Sequence, residues 1–132
     1  MLETVFALLI ATTTLTIHSI SPSEWVGVWQ GVLDGQPAVV LTLAQDNGAL
    51  EGTLVLNIIT RDGGQPHIMA REPHTLIQPH LDGARLSFHV RRPDGSAEPA
   101  DFSVEFTSHK HAKIHCLNCG GDAPFVEMAK QD

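Results

Sequence analysis

Residues Ala38–Thr60 read AVVLTLAQDNGALEGTLVLNIIT. Two apolar runs, Ala38–Ala44 and Ala49–Thr60, flank the segment Gln45-Asp46-Asn47-Gly48. Asn-Gly is a strong short-range hairpin signal, because both residues tolerate the positive φ of a tight two-residue turn. A strand sends alternate side chains to opposite faces, so Leu50, Leu54, Leu56 and Ile58 share one face while Glu51, Thr53 and Asn57 share the other. The stretch is therefore an antiparallel hairpin with one dry and one wet face.

The same grammar continues outward in both directions. Upstream, Trp25–Leu33 (WVGVWQGVL) ends at Asp34-Gly35-Gln36-Pro37. Downstream come a break at Asp62-Gly63-Gly64, a Pro-rich stretch over Gln65–His80 whose structure is ambiguous, and a turn at Asp82-Gly83. Ala84–Arg92, Ala100–Ser108, Ala112–Leu117 and Pro124–Ala129 follow as further strands. Leu86, Phe88 and Val90 oppose Arg85, Ser87, His89 and Arg91, and Phe102, Val104 and Phe106 oppose Asp101, Ser103, Glu105 and Thr107. Short period-two runs punctuated by turn residues predict an all-β domain. An antiparallel up-and-down meander of about eight strands buries one face by curling on itself, and closure into a barrel also removes the edges. A β-sandwich is the alternative. The first run is apolar on both faces, with Trp25, Gly27, Trp29 and Leu33 opposing Val26, Val28 and Val32, which predicts burial on both sides. Trp29 is expected at the closed end of the barrel, with Trp25, at the strand's start, the more exposed of the two.

Composition bounds the functional classes. The 132 residues suit one domain, and 42% apolar content is enough for a core. Fifteen acidic residues against eight basic ones give a formal charge of −7, which repels phosphate backbones and argues against a nucleic-acid partner. The uncharged segment Val5–Ile17 is too short to span a bilayer comfortably but suits the apolar centre of a secretory leader. Residues 1–23 are accordingly read as a signal peptide or hydrophobic N-terminal segment, and 24–132 as the barrel domain. The expected location is secreted or periplasmic, with no membrane span in the mature chain. A strand or helix belonging to the fold is the other reading of that segment.

Gly27-Val28-Trp29, opening a meander of this length, resembles the G-x-W signature of lipocalins and the wider calycin group. The same opening followed by Gly52-Thr53-Leu54 is similar to small secreted bacterial β-barrel domains. The likeness extends over about residues 24–130, although the motif itself is confined to Gly27 and Trp29. It implies a calycin-like barrel and a small apolar ligand held inside. The chain has no Tyr and therefore no T-D-Y motif, and Lys130 stands in the last strand where an Arg would cover the Trp.

Inward positions are chiefly Val39, Leu41, Leu43, Leu54, Leu56, Leu86, Phe88, Val90, Phe102, Val104, Phe106, Ile114, Val126 and Met128. Such side chains either fill an eight-stranded barrel or leave room for one small ligand. The candidate ligand-binding residues are Trp29, Leu41, Leu54, Leu86, Phe88, Phe102 and Phe106.

Reactive side chains concentrate in His109-Lys110-His111-Ala112-Lys113-Ile114-His115-Cys116-Leu117-Asn118-Cys119. In an exported chain, Cys116 and Cys119 are expected to form a disulfide across a turn. The alternative is a zinc site built from His111, His115, Cys116 and Cys119, although a strand over Ala112–Cys116 puts the histidines on the face opposite Cys116. A thioredoxin-like role fits poorly, because Gly120-Gly121 makes a poor helix start. His67, His74, His80 and His89 are expected at the surface. No G-x-S-x-G, H-E-x-x-H or phosphate loop is present. The leading expectation is thus a non-catalytic exported barrel without a cofactor, which binds a small apolar ligand or serves as an interaction module for a protein partner. A zinc-binding protein or metal-dependent hydrolase using the C-terminal His/Cys cluster is the alternative.

Overall fold

Tight turns build the meander. Asp34-Gly35 joins β1 (Gly27–Leu33) to β2 (Gln36–Asp46), and Asn47-Gly48 joins β2 to β3 (Ala49–Thr60). All four turn residues have positive φ, the requirement of a type I′ hairpin turn. The chain was analysed as a computed structural model, which describes residues 20–92, 95–121 and 123–132. After a single 3-10 turn at Asp62–Gly64 come β4 (His67–Thr75), β5 (Ile77–Asp82), β6 (Arg85–Val90), β7 (Ala100–Ser108), β8 (His111–Cys116) and β9 (Val126–Lys130). The one helix among the described residues, α1 (Pro22–Trp25), is a single turn. No helix among these residues is long and apolar enough to cross a membrane.

All nine strands belong to one antiparallel sheet with the order β4-β3-β2-β1-β9-β8-β7-β6-β5. The first and last strands pair in the middle, Trp29 opposite Lys130 and Gly31 opposite Met128, so the sheet curls into a half-barrel. Its two ends are consecutive in sequence and joined by Leu76 alone. Every pairing around the sheet is antiparallel, and eight of them separate β4 from β5, so these two strands run in the same direction. They are the two halves of one bent strand, which pairs first with β3 and then with β6. Counting them as one gives the eight strands expected. The bend falls at Leu76–Gln78, where the Leu76 N–H donates to the Gly52 carbonyl (3.1 Å) and Gln78 has a positive φ. Pro73 and Pro79, which lack an N–H, flank it. β4 pairs with β3 and β5 with β6, so the ladder is interrupted between β4 and β6 and the wall opens as a wedge where a closed barrel was expected.

The concave face carries a single core. Each predicted inward residue belongs to it: Leu41, Leu54, Leu86 and Val104 are fully buried, and Leu56, Phe106 and Val126 pack against it partly exposed. Ile58 departs from the expected alternation. A bulge between Ile58 and Ile59 shifts the register, leaving Ile58 exposed and turning Ile59 toward the core. The first strand also differs from the reading of two buried faces, since Val28 and Val32 are exposed on its outer side and Leu33 is exposed at its end. Among the described residues no second layer covers that outer face.

Trp25 is not the more exposed tryptophan; both it and Trp29 have no exposed surface. Pro22 starts α1, which packs Trp25 against Trp29 and Phe106, so its burial comes from the helical turn and not from strand alternation. The Trp29 indole N–H donates to the Trp25 carbonyl at 2.9 Å. Phe106 meets both rings edge-on, with centroids 5.4 Å from Trp25 and 5.9 Å from Trp29. Lys130 Nζ lies 5.9 Å from the Trp29 ring and donates to the Glu24 carbonyl at 3.0 Å. Gly27 makes room for this lysine, since a Cβ there would come within 2.7 Å of its Cε. Ile20 also packs against the core, so the folded body takes in the last residues of the segment read as a leader; the Val5–Ile17 stretch itself lies outside the described residues.

Candidate functional site

The interior was the first candidate. Of the residues expected to line a ligand cavity, Trp29, Leu41, Leu54 and Leu86 are 0% exposed, Phe88 1% and Phe102 7%, and Phe106 packs edge-on against both tryptophans. Phe88 and Phe102 stack with centroids 5.5 Å apart. These side chains spend their surfaces on one another, as in a close-packed core.

The C-terminal cluster divides between two faces. In β8, Ala112, Ile114 and Cys116 are buried, whereas His111 is exposed and Lys113 and His115 are half-buried on the outside. Cys116 and Cys119 form a disulfide with a Cα–Cα separation of 5.6 Å. The His115 ring stacks on Phe125 (4.2 Å), Lys113 Nζ lies 5.0 Å from the same ring, and His115 Nε2 sits 3.1 Å from the Ala123 carbonyl. His111, His115, Cys116 and Cys119 are not brought together, and among the described residues no group of three or more His, Cys, Asp or Glu side chains is placed to hold a metal ion. A ring this short contributes about 2 kcal/mol by loop entropy. It also fixes a turn. Within it, the Asn118 side chain accepts from the Asp101 N–H (2.8 Å) and donates to the Pro99 carbonyl (3.0 Å).

That turn holds one wall of the wedge. Arg92, just beyond β6, donates from Nη2 to the Asn118 carbonyl (2.7 Å) and from Nε to the Glu98 carbonyl (3.1 Å). The opposite wall is β4. Between them lies a cleft of about 780 Å³ whose lining includes Arg71, Glu72, His74, Thr75, Ile77, Arg91 and Arg92. A second cleft of about 480 Å³ shares Ile77, Arg91 and Gly95 with it. His74 pairs across the sheet with Leu54 and Glu72 with Leu56, so both lie on the concave face. His74 is therefore not the surface histidine expected: its side chain is 9% exposed, and its Nε2 is buried without a hydrogen-bond partner, 4.0 Å from the Glu72 carboxylate. His67 and His80 are exposed as expected, and His89 Nδ1 lies 2.5 Å from Asp101 Oδ1 on the outer face.

The charges of the cleft differ from those elsewhere. Outside it, Arg61 pairs with Asp34 (2.6 Å), Arg85 with Glu105 (2.7 Å), Lys110 with Asp132 (2.5 Å) and Lys113 with Glu105 (3.6 Å). The hydrogen bond from Arg85 holds the Glu105 carboxyl below its usual range, and Arg61 does the same for Asp34. Among the described residues, Arg71 and Arg91 have no carboxylate partner and Arg92 is bonded only to carbonyls. No sequence motif announced these arginines. Arg71 is twenty positions from Arg91, and only the bend at Leu76 brings them to one cleft.

Comparison of the chain with family models, with curated proteins and with solved structures finds no match.

Proposed function

We propose that this chain is a non-catalytic exported binding module of calycin-like architecture that meets its ligand on the outer wedge and not in a hollow interior. The observation that carries this reading is the core itself: Trp29, Leu41, Leu54 and Leu86 have no exposed surface, so a ligand in their place would have to displace packed side chains. The calycin relation rests on Gly27-Val28-Trp29 within a curled antiparallel meander, with Lys130 over the Trp29 ring. Trp25 and Trp29 report on the interior directly. Titration with a long-chain fatty acid should leave their emission unchanged, and a saturable quench would overturn the reading.

Export is supported by the Cys116–Cys119 disulfide, which suits an oxidising compartment, together with the uncharged Val5–Ile17 segment. Protein recovered from its native host should lack Val5–Ile17 and begin ahead of Ile20, so that Ile20 and α1 stay with the folded body. A chain still carrying Met1 or its direct successor would contradict export by a cleaved leader.

A further inference from the structure

We infer that the wedge between β4 and Arg91–Arg92 at the end of β6 is a binding site for a small oxyanion, a ligand presenting carboxylate or phosphate oxygens. The inference rests on the external recognition surface proposed above and assigns its chemistry. Three arginines, Arg71, Arg91 and Arg92, line a cleft in which Glu72 is the one acidic residue among the described lining residues. This concentration stands against a formal charge of −7 over the whole chain. Guanidinium is the side-chain group best matched to carboxylate and phosphate, since its planar fork donates two parallel hydrogen bonds.

The cleft is partly preorganised. Arg92 is held by the Asn118 and Glu98 carbonyls, and Asn118 lies inside the disulfide ring, so this cation is fixed before any ligand arrives. Arg71 and Arg91 have no carboxylate partner among the described residues and keep their donors free for one. His74, which reaches the edge of β4 from the concave face whereas Arg71 leaves that strand on the outer one, is the second, independent sign. Its side chain is 9% exposed and its Nε2 is buried with no hydrogen-bond partner, a costly state for a polar atom unless something completes it. In the tautomer that carries the Nε2 proton it supplies a neutral donor to an oxygen. The volume of about 780 Å³ suits a small organic anion, with Ile77 and Pro73 as its apolar floor.

The test is a titration of the isotopically labelled protein, followed by amide chemical shifts, with citrate in one arm and inorganic pyrophosphate in the other at constant ionic strength. Saturable shifts centred on residues 71–77 and 89–92 are expected, and the tighter arm tells carboxylate from phosphate. Arg71→Ala and Arg91→Ala should each weaken binding about tenfold, the loss of one charge-assisted contact. Arg61→Ala, which removes the same charge from a surface ion pair elsewhere, should leave binding unchanged. No saturable shift in either arm, or equal weakening by Arg61→Ala, would overturn the inference. The fatty-acid titration separates the two failures. Absent anion binding with an impermeable interior overturns the anion chemistry alone, whereas saturable interior uptake overturns the external reading beneath it.

Discussion

Trp29→Ala destabilises the domain by about 3–5 kcal/mol, the range for emptying a buried aromatic site. The ring is fully buried, touches Trp25 and Phe106, and carries Lys130 on its face, so neighbours fixed on α1, β7 and β9 cannot close over the space. For a small domain this is a large share of the total stability. Trp25→Ala should cost a comparable amount, because the helical turn buries that ring as completely as the strand buries Trp29. The two indoles differ in their polar atoms. Trp29 Nε1 donates to the Trp25 carbonyl, whereas Trp25 Nε1 is buried without a partner. Trp29→Phe therefore loses a hydrogen bond, while Trp25→Phe removes an unsatisfied donor and should be the milder change. Urea denaturation of the four variants, with m-values compared, reads both orders. If Trp25→Ala proves clearly milder than Trp29→Ala, α1 is not docked as described.

Most of the architecture is legible in the chain because it is written in local chemistry. Asp34-Gly35 and Asn47-Gly48 encode tight turns by tolerating positive φ, and the alternation in Leu86–Val90 assigns faces without any tertiary information. What alternation cannot show is where it is interrupted. The bulge at Ile58/Ile59 moves one apolar side chain out and the next one in, and nothing in a run of β-branched residues marks the slip. Trp25 was misplaced for a related reason. Pro22 converts the residues before the strand into a helical turn, so counting Trp25 in the strand's period gives it the right face but the wrong depth.

The wedge was less legible still. Arg71 lies in the Pro-rich stretch that offered no clear period, and Arg91 and Arg92 follow a strand whose end is set by Val90 pairing with Ala100. Their proximity depends on β4 and β5 being one strand bent at Leu76, which is a property of the whole series of pairings and not of any segment alone. By contrast, the His/Cys run near the C-terminus looks chemically dense in one dimension, and strand parity disperses it: Cys116 turns inward to its disulfide and His111 and His115 face outward. Proximity along a strand is a poor guide to a site when successive side chains leave on opposite faces.

The bend itself has a single-residue dependence that can be measured. Gly52 pairs opposite Leu43, and its carbonyl accepts the Leu76 N–H at 3.1 Å, so it holds the point where the bent strand transfers from β3 to β6. Its backbone conformation does not require glycine, since it is absent from the positive-φ residues. Space does. A Cβ at Gly52 would collide with the Thr42 carbonyl oxygen and stand 3.0 Å from the Thr42 carbonyl carbon and 3.2 Å from Leu43 Cα, all of them backbone atoms that no rotamer change can move. Gly52→Ala must therefore push β2 and β3 apart along a pairing that runs from Val39 to Asp46. The expected cost is at least about 3 kcal/mol, the upper end for overpacking, because the strain falls on a ladder and not on a side chain. Gly121→Ala is the matched control: its Cβ meets nothing within 4 Å, so its effect should stay within about 0.5 kcal/mol. Displacing Gly52 also loosens the anchor of Leu76, so amide exchange at Leu76 and Ile77 should accelerate in Gly52→Ala even under conditions where most of the protein remains folded. Unchanged stability, or a loss of stability with exchange at Leu76 unaltered, would show that the close approach of β2 to β3 does not set the bend.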